Sequence, residues 1–243
     1  MDLQQAQEEY ALALRAGQKE YKSLLAEGKD PYPQVLDTIL AGRTSDSVED
    51  LGVLDIPAEL IVGTKAAGRI SAFTAGFLPL LEPTSEFAAK WIHLCNAHLS
   101  EEGIRDPILC YEYLGKFYVQ EGNKRVSVLR HMGAPRITGM VKRVLPPLDD
   151  SPQIRAYYAF LEFYRASGLY TIQFRSGEDY AKLLSLLGKE PGELWTDRER
   201  RTFSAYYQYF REAFIALGGV FAEGIDLIGK RLIGTVIVGV GLP

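Results

Sequence analysis

The sequence predicts an α/β (α+β) protein, a small mixed sheet flanked on both sides by helical stretches, and three observations carry that prediction. Residues 108–113 and 117–119 read as two strands around the turn Leu114-Gly115-Lys116, and residues 137–145 as a further strand ended by Pro146-Pro147. Between them, the run from Tyr118 to Gly133 reads as a strand end, a tight turn at Glu121-Gly122-Asn123, and a helix from Lys124 to His131 closed by Gly133. Toward both ends of the chain, apolar residues recur at three- and four-residue steps, the period of an amphipathic helix. With 243 residues, 47% hydrophobic and 24% charged, the chain can bury a sizeable core as one mixed domain with appendages.

In chain order, residues 2–27 form a helical arm, with Tyr10, Leu14, Tyr21 and Leu25 on one face and Gly28 as the stop. Asp30-Pro-Tyr-Pro33 breaks the chain, residues 34–41 give a short helix, and residues 42–50 a polar loop. The compact domain opens with a strand at 53–56, and residues 66–69 are a small, flexible loop. Thr84 or Ser85 caps a helix running to His98, with Phe87, Trp91 and Leu94 facing inward. After the linker Asp149-Asp-Ser-Pro152, Tyr157, Tyr158, Phe160, Phe163 and Tyr164 crowd one helix, which reads as core packing because few basic residues interleave them. A short strand at 170–174 and a helix at 177–187 follow. Thr196-Asp-Arg-Glu199 then matches a capping box that opens a helix with Phe203, Tyr207, Phe210, Phe214 and Leu217 on one face.

The turn before the helix at 124 concentrates the chemistry. Unpaired backbone N–H groups and the positive end of the helix dipole point outward there, and Lys124 and Arg125 add two cations where a first turn normally carries Asp or Glu. Such a corner favours a bound anion, above all phosphate. The alternative is a surface helix whose Val126, Val128 and Leu129 pack inward while the cations are solvated. A net charge of −4 argues against broad attachment to nucleic acid. Cys95 and Cys110 lack metal-ligand spacing and read as reduced and buried, and His93, His98 and His131 show no zinc-like pairing. The first ten residues have neither a basic region nor an apolar core, and no run reaches the roughly 18 apolar residues of a membrane span. The expectation is a cytoplasmic protein.

Residues 51–145 resemble the ParB/sulfiredoxin-like domain. Leu54-Asp-Ile-Pro-Ala-Glu-Leu-Ile61 is similar to that family's opening strand and turn, and Arg69 falls near its recurrent arginine. Glu102-Gly-Ile-Arg-Asp-Pro-Ile108 is similar to its G-hydrophobic-x-x-P-hydrophobic segment, and Glu121-Gly-Asn-Lys-Arg125 takes the place of its phosphate turn. The resemblance implies a site built from Gly122, Asn123, Lys124, Arg125, Arg69, Gly103, Ile104 and Pro107. It would hold a nucleoside triphosphate, CTP or ATP, with or without Mg²⁺, or a smaller phosphate ligand. Asn123 stands where sulfiredoxins carry the catalytic cysteine and ParB proteins usually an acidic residue, so binding without that chemistry is expected.

Two further stretches bear on nucleic acid. Residues 182–195 are similar to a helix-turn-helix, although the second helix would be short and carries Glu190 and Glu193. Residues 218–243, with Glu223-Gly-Ile-Asp226 at their centre, resemble a motif segment of DinG-type DNA helicases, yet no G-x-x-x-x-G-K-[ST] loop accompanies it. A truncated or chimeric reading frame joined near Gly218-Gly219 accounts for that tail, and an ordinary terminal strand is the alternative. The expected organisation is a helical arm at 1–50, the ParB/sulfiredoxin-like domain at 51–148, a helical extension at 149–217 and the tail. The leading expectation is a regulatory nucleotide-binding module, without a membrane partner and compatible with a homo-oligomer. A helicase fragment and an interaction scaffold with a vestigial turn are the alternatives.

Overall fold

A computed structural model describes residues 3–41, 47–68, 70–100 and 103–221, the stretch 211–221 by its backbone alone. The described residues form a mixed six-stranded sheet and seven α-helices, so the α/β class holds. The chain divides into two compact units, Met1–Pro147 and Leu148–Pro243.

The first unit opens with helix α1, Leu3–Ala26. Its buried side carries Ala6, Tyr10, Ala13, Leu14 and Gly17. Gly17 has to be small, because a Cβ there would lie 2.4 Å from the Pro79 carbonyl oxygen. Beyond Gly28, in the left-handed region at φ 68°, the expected helix at 34–41 is instead a two-residue strand β1, Gln34–Val35, followed by one helical turn α2, Leu36–Ile39. The reason is a partner: β1 pairs in parallel with β3, Ile61–Thr64, at Gln34↔Gly63 and Val35↔Thr64. Strand β2, Ser47–Pro57, begins inside the stretch expected to be polar loop, because residues 47–50 pair antiparallel with residues 142–145 at the edge of the sheet.

Helix α3, Glu86–Leu99, starts at Ser85, whose Oγ accepts the Ala88 N–H at 3.1 Å. Its inner face meets α1 through Tyr10 and Trp91, whose rings stand edge to face with centroids 5.2 Å apart. Trp91 is fully buried and its indole N–H donates to Ser127 Oγ at 2.9 Å, so its burial leaves no donor unmet. The hairpin of β4, Ile108–Tyr113, and β5, Lys116–Glu121, leads into α4, Asn123–His131, and then β6, Arg136–Leu145. The sheet order is β1-β3-β5-β4-β6-β2. Inside it lies an ion pair: Glu112, fully buried, accepts Arg143 Nε at 2.5 Å and the Gly115 N–H at 2.6 Å.

In the second unit, α5, Pro152–Ser167, buries Tyr157, Phe160 and Phe163, in keeping with core packing. Helix α6, Glu178–Leu186, and helix α7, Asp197–Phe221, follow. The expected strand at 170–174 is absent. Those residues form turn and irregular chain held by Tyr180, whose hydroxyl accepts the Phe174 N–H at 2.9 Å and donates to the Ile172 carbonyl at 3.3 Å. A short extended segment with no strand beside it has no ladder to join. The second helix of the expected helix-turn-helix is absent as well: residues 188–196 are turn and irregular chain, closed by an ion pair of Lys189 with Glu193 at 2.6 Å. The capping box at the start of α7 is formed, with the Thr196 N–H donating to Glu199 Oε2 at 2.7 Å and the Glu199 N–H to Thr196 Oγ1 at 3.2 Å. Helix α7 continues through Gly218 and Gly219 to Phe221; Glu223-Gly-Ile-Asp226 and the expected terminal strand lie outside the described residues. Among the described residues no helix is long and apolar enough to cross a membrane.

Candidate functional site at the ends of helix α4

The amino end of α4 is assembled from three segments that the strand register brings together. Strand β3 runs parallel to β5 with Thr64 beside Val119, so residues 65–68 leave the sheet at the end where β5 stops. Strand β4 runs antiparallel to β5 with Leu109 beside Glu121, so residues 103–107 enter at that same end. The turn 121–123 closes the group. Gly122 is required there twice over. Its φ of 104° is left-handed, and a Cβ would lie 2.7 Å from Cγ2 of the buried Ile108. No side chain caps α4 and its first turn contains no acidic residue, so its leading amides and positive dipole end keep their attraction for an anion.

The candidate residues fall into distinct roles within this group. Arg125 turns its guanidinium onto the protein: Nη1 donates to the carbonyls of Asp106 at 3.0 Å and Pro107 at 2.6 Å, and Nη2 to Glu121 Oε1 at 3.5 Å. Three of its five N–H donors are thereby engaged, and the guanidinium clamps the 106–107 segment against the turn. Lys124 lies with Nζ 5.1 Å from the centroid of the Phe87 ring, a cation–π contact that holds its charge beside the first turn. Asn123 is half-buried, and its Oδ1 is enclosed and accepts no hydrogen bond from the described residues. Ile104 packs on the α1–α3 core, whereas Gly103 supplies a left-handed bend at φ 66° with open space around it. Arg69 lies outside the described residues. Among the described residues no group of three or more His, Cys, Asp or Glu side chains could hold a metal.

The carboxyl end of α4 carries a second arrangement, which sequence reasoning missed. Arg130 donates from Nη1 to the Gly76 carbonyl at 3.2 Å, and from Nη2 to the Ile61 carbonyl at 2.8 Å and to that of Ala58. It also sits over the Phe77 ring, 5.4 Å from its centroid. Burial lowers its pKa from the ordinary arginine value. A cleft of about 430 Å³ opens beside it, lined also by Asp30, Gln34, Glu59 and Val62. These residues are spread over a hundred positions without a spacing pattern. The one signal available was Arg130 itself, a cation in the last turn of a helix otherwise read for its first turn. His131, next along, lies with Nε2 2.7 Å from Glu9 Oε2 and ties α4 to α1.

The two thiols are structural. Cys95 and Cys110 are buried, which pushes their pKa values up to about 11 and about 12. No protein-family profile, no curated protein and no solved structure matches this chain.

Proposed function

We propose that the first unit is a phosphate-ligand-binding module of the ParB/sulfiredoxin-like class. In this reading it takes a nucleoside triphosphate, CTP or ATP, at the amino end of α4 and serves a regulatory role. The observation that carries the reading is the uncapped, acid-free start of α4 behind a left-handed glycine, with Lys124 alongside. Anion contacts come from the backbone N–H groups of the first turn and from the Lys124 ammonium. Arg125 is a positioning residue, because its donors hold the 106–107 segment in place. Asn123 offers neither a thiolate nor a carboxylate, so the bound nucleotide is not turned over.

Isothermal titration of the full chain with CTP, ATP and GTP, with and without Mg²⁺, tests this directly. Saturable binding of at least one nucleotide is expected. Lys124→Ala should weaken it by about tenfold or more, the loss of one charge-assisted hydrogen bond. The nucleotide should remain intact over hours of incubation. Absence of binding by all three, or an affinity indifferent to Lys124→Ala, would remove the phosphate turn from the account.

A further inference from the structure

The two faces of the sheet differ at β2 and β6. On one face Ile56, Ile137 and Val141 are buried in the core. On the other, Val53 is 62% and Met140 47% exposed, and Asp50 and Lys142 are exposed beside them. These four residues form two rows, because Val53 pairs with Met140 and Asp50 with Lys142 across the ladder. A bulge keeps both rows on one face: it inserts Leu51 between Asp50 and Gly52, with Gly52 left-handed at φ 67°, and so returns Asp50 to the side of Val53. Although they are lateral neighbours, Asp50 and Lys142 are not joined. Asp50 Oδ1 accepts the Gly52 N–H at 2.8 Å instead, and the Lys142 ammonium meets no carboxylate among the described residues. Strand β6 also pairs in parallel with β4, Met140 beside Leu109, and parallel pairs are as a rule covered on both faces.

A second copy of this face is its own complement. A two-fold axis running along the strands, between β2 and β6, lays β2 of one copy over β6 of the other at the same height. Each residue then meets its own ladder partner from the second copy, so Val53 meets Met140 and Asp50 meets Lys142, twice over by symmetry. Charge selects this axis, since a two-fold placed on β6 itself would set Lys142 against Lys142. The sheet order leaves room for the arrangement as well, because β2 is the edge strand and nothing of the second copy's sheet extends past it. Helix α2, whose Leu36 packs with Tyr113 and Tyr118 over β4 and β5, then stands beside the covered face rather than in its way. We propose that the open face of β2 and β6 is a homodimer interface, with the Val53–Met140 row at its centre and two Asp50–Lys142 ion pairs joining the copies. The ladder holds ten residue pairs, roughly 34 Å at about 3.4 Å each, and two strands are roughly 10 Å wide. That is the small end of specific interfaces, so the dimer dissociates readily on dilution.

Sedimentation velocity of the full chain over a dilution series tests the proposal, with Asp50→Lys and Lys142→Asp as charge reversals at exposed positions. The wild-type chain should pass from monomer to dimer as its concentration rises. Each reversal should weaken the dimer by about tenfold or more, because it turns both ion pairs into like-charge contacts, while circular dichroism stays unchanged. The deciding sample is an equal mixture of the two variants. One carries lysine at both positions and the other aspartate at both, so the mixed pair regains both contacts and should associate with near wild-type affinity. Val53→Thr combined with Met140→Thr removes the apolar row and should weaken the dimer without rescue by mixing. Lys124→Ala should leave association unchanged, so that this interface and the phosphate corner are read independently. A chain that stays monomeric into the millimolar range would give the face to another occupant and overturn the proposal. So would a dimer indifferent to both reversals, or a mixture that associates no better than either variant alone.

Discussion

Gly122→Ala isolates what the turn demands of its glycine. Two independent penalties act on the new methyl group. An L-residue held in the left-handed region at φ 104° loses about 1–2 kcal/mol. The Cβ also lies 2.7 Å from Ile108 Cγ2 and 3.1 Å from Ile108 Cβ, and Ile108 is a buried strand residue rather than the end of a flexible chain, so overpacking adds about 1–3 kcal/mol. The sum is about 2–5 kcal/mol of lost stability. Gly103→Ala is the matched control: its φ of 66° is also left-handed, but nothing lies within 4 Å of the added Cβ, so only the backbone penalty of about 1–2 kcal/mol applies. The chain has two tryptophans, Trp91 and Trp195, one in each unit. Urea unfolding followed by Trp91 emission in a Trp195→Phe background therefore reports the first unit alone. Equal losses for the two alanine variants, or a loss below about 1 kcal/mol for Gly122→Ala, would show that Ile108 yields and that close approach is not what selects glycine at the turn.

Three further outcomes follow from burial and charge. Glu112→Gln should destabilise the first unit by at most about 3–5 kcal/mol in the same urea experiment, because it removes the nearer carboxylate of Arg143, 4% exposed, and leaves Glu49 at 3.9 Å; adding Arg143→Met should restore part of the loss. Cys95 and Cys110 should resist iodoacetamide at pH 8 in the folded chain and react fully in denaturant, since burial holds their pKa values at about 11 and about 12; labelling of either thiol in native protein, read by mass spectrometry, would contradict the packing. The Lys189 ammonium, with the Thr196 N–H and hydroxyl, depresses the Glu199 pKa from 4.5 to about 2, so this contact stabilises the start of α7 above pH 4.5 and is lost as pH falls toward 2. Trp195 emission should report that loosening between pH 4.5 and 2, and Glu199→Gln should flatten the transition.

Legibility in the sequence followed how local each determinant is. Strand β4 at 108–113, the Ser85 cap, the Gly28 stop and the Thr196–Glu199 capping box were all readable, because each rests on residues within four positions of one another. Strands β1 and β3 were not, being two and four residues long and held by a pairing between residues 34 and 63 that no periodicity announces. The segment at 170–174 failed in the opposite sense. Ile172 is buried as a strand residue would be, but its carbonyl is met by the Tyr180 hydroxyl rather than by a neighbouring strand.

The same rule divides the candidate site. The turn could be found because glycine, the missing acid and the first-turn cations are consecutive, whereas the orientation of Arg125 depends on the Pro107 carbonyl, eighteen residues earlier. A cation at a helix start reads as a ligand contact in sequence and as a clamp once its acceptor is seen, so the two cations of this turn separate: Arg125 holds the 106–107 segment and Lys124 lies over the Phe87 ring. Arg130 makes the converse point. With Ala58, Ile61 and Gly76 supplying its acceptors from more than fifty residues away, nothing adjacent in the sequence marked it. One nine-residue helix thus carries a charged group at each end whose role is decided by distant backbone carbonyls, and the two ends can be tested apart because no residue serves both.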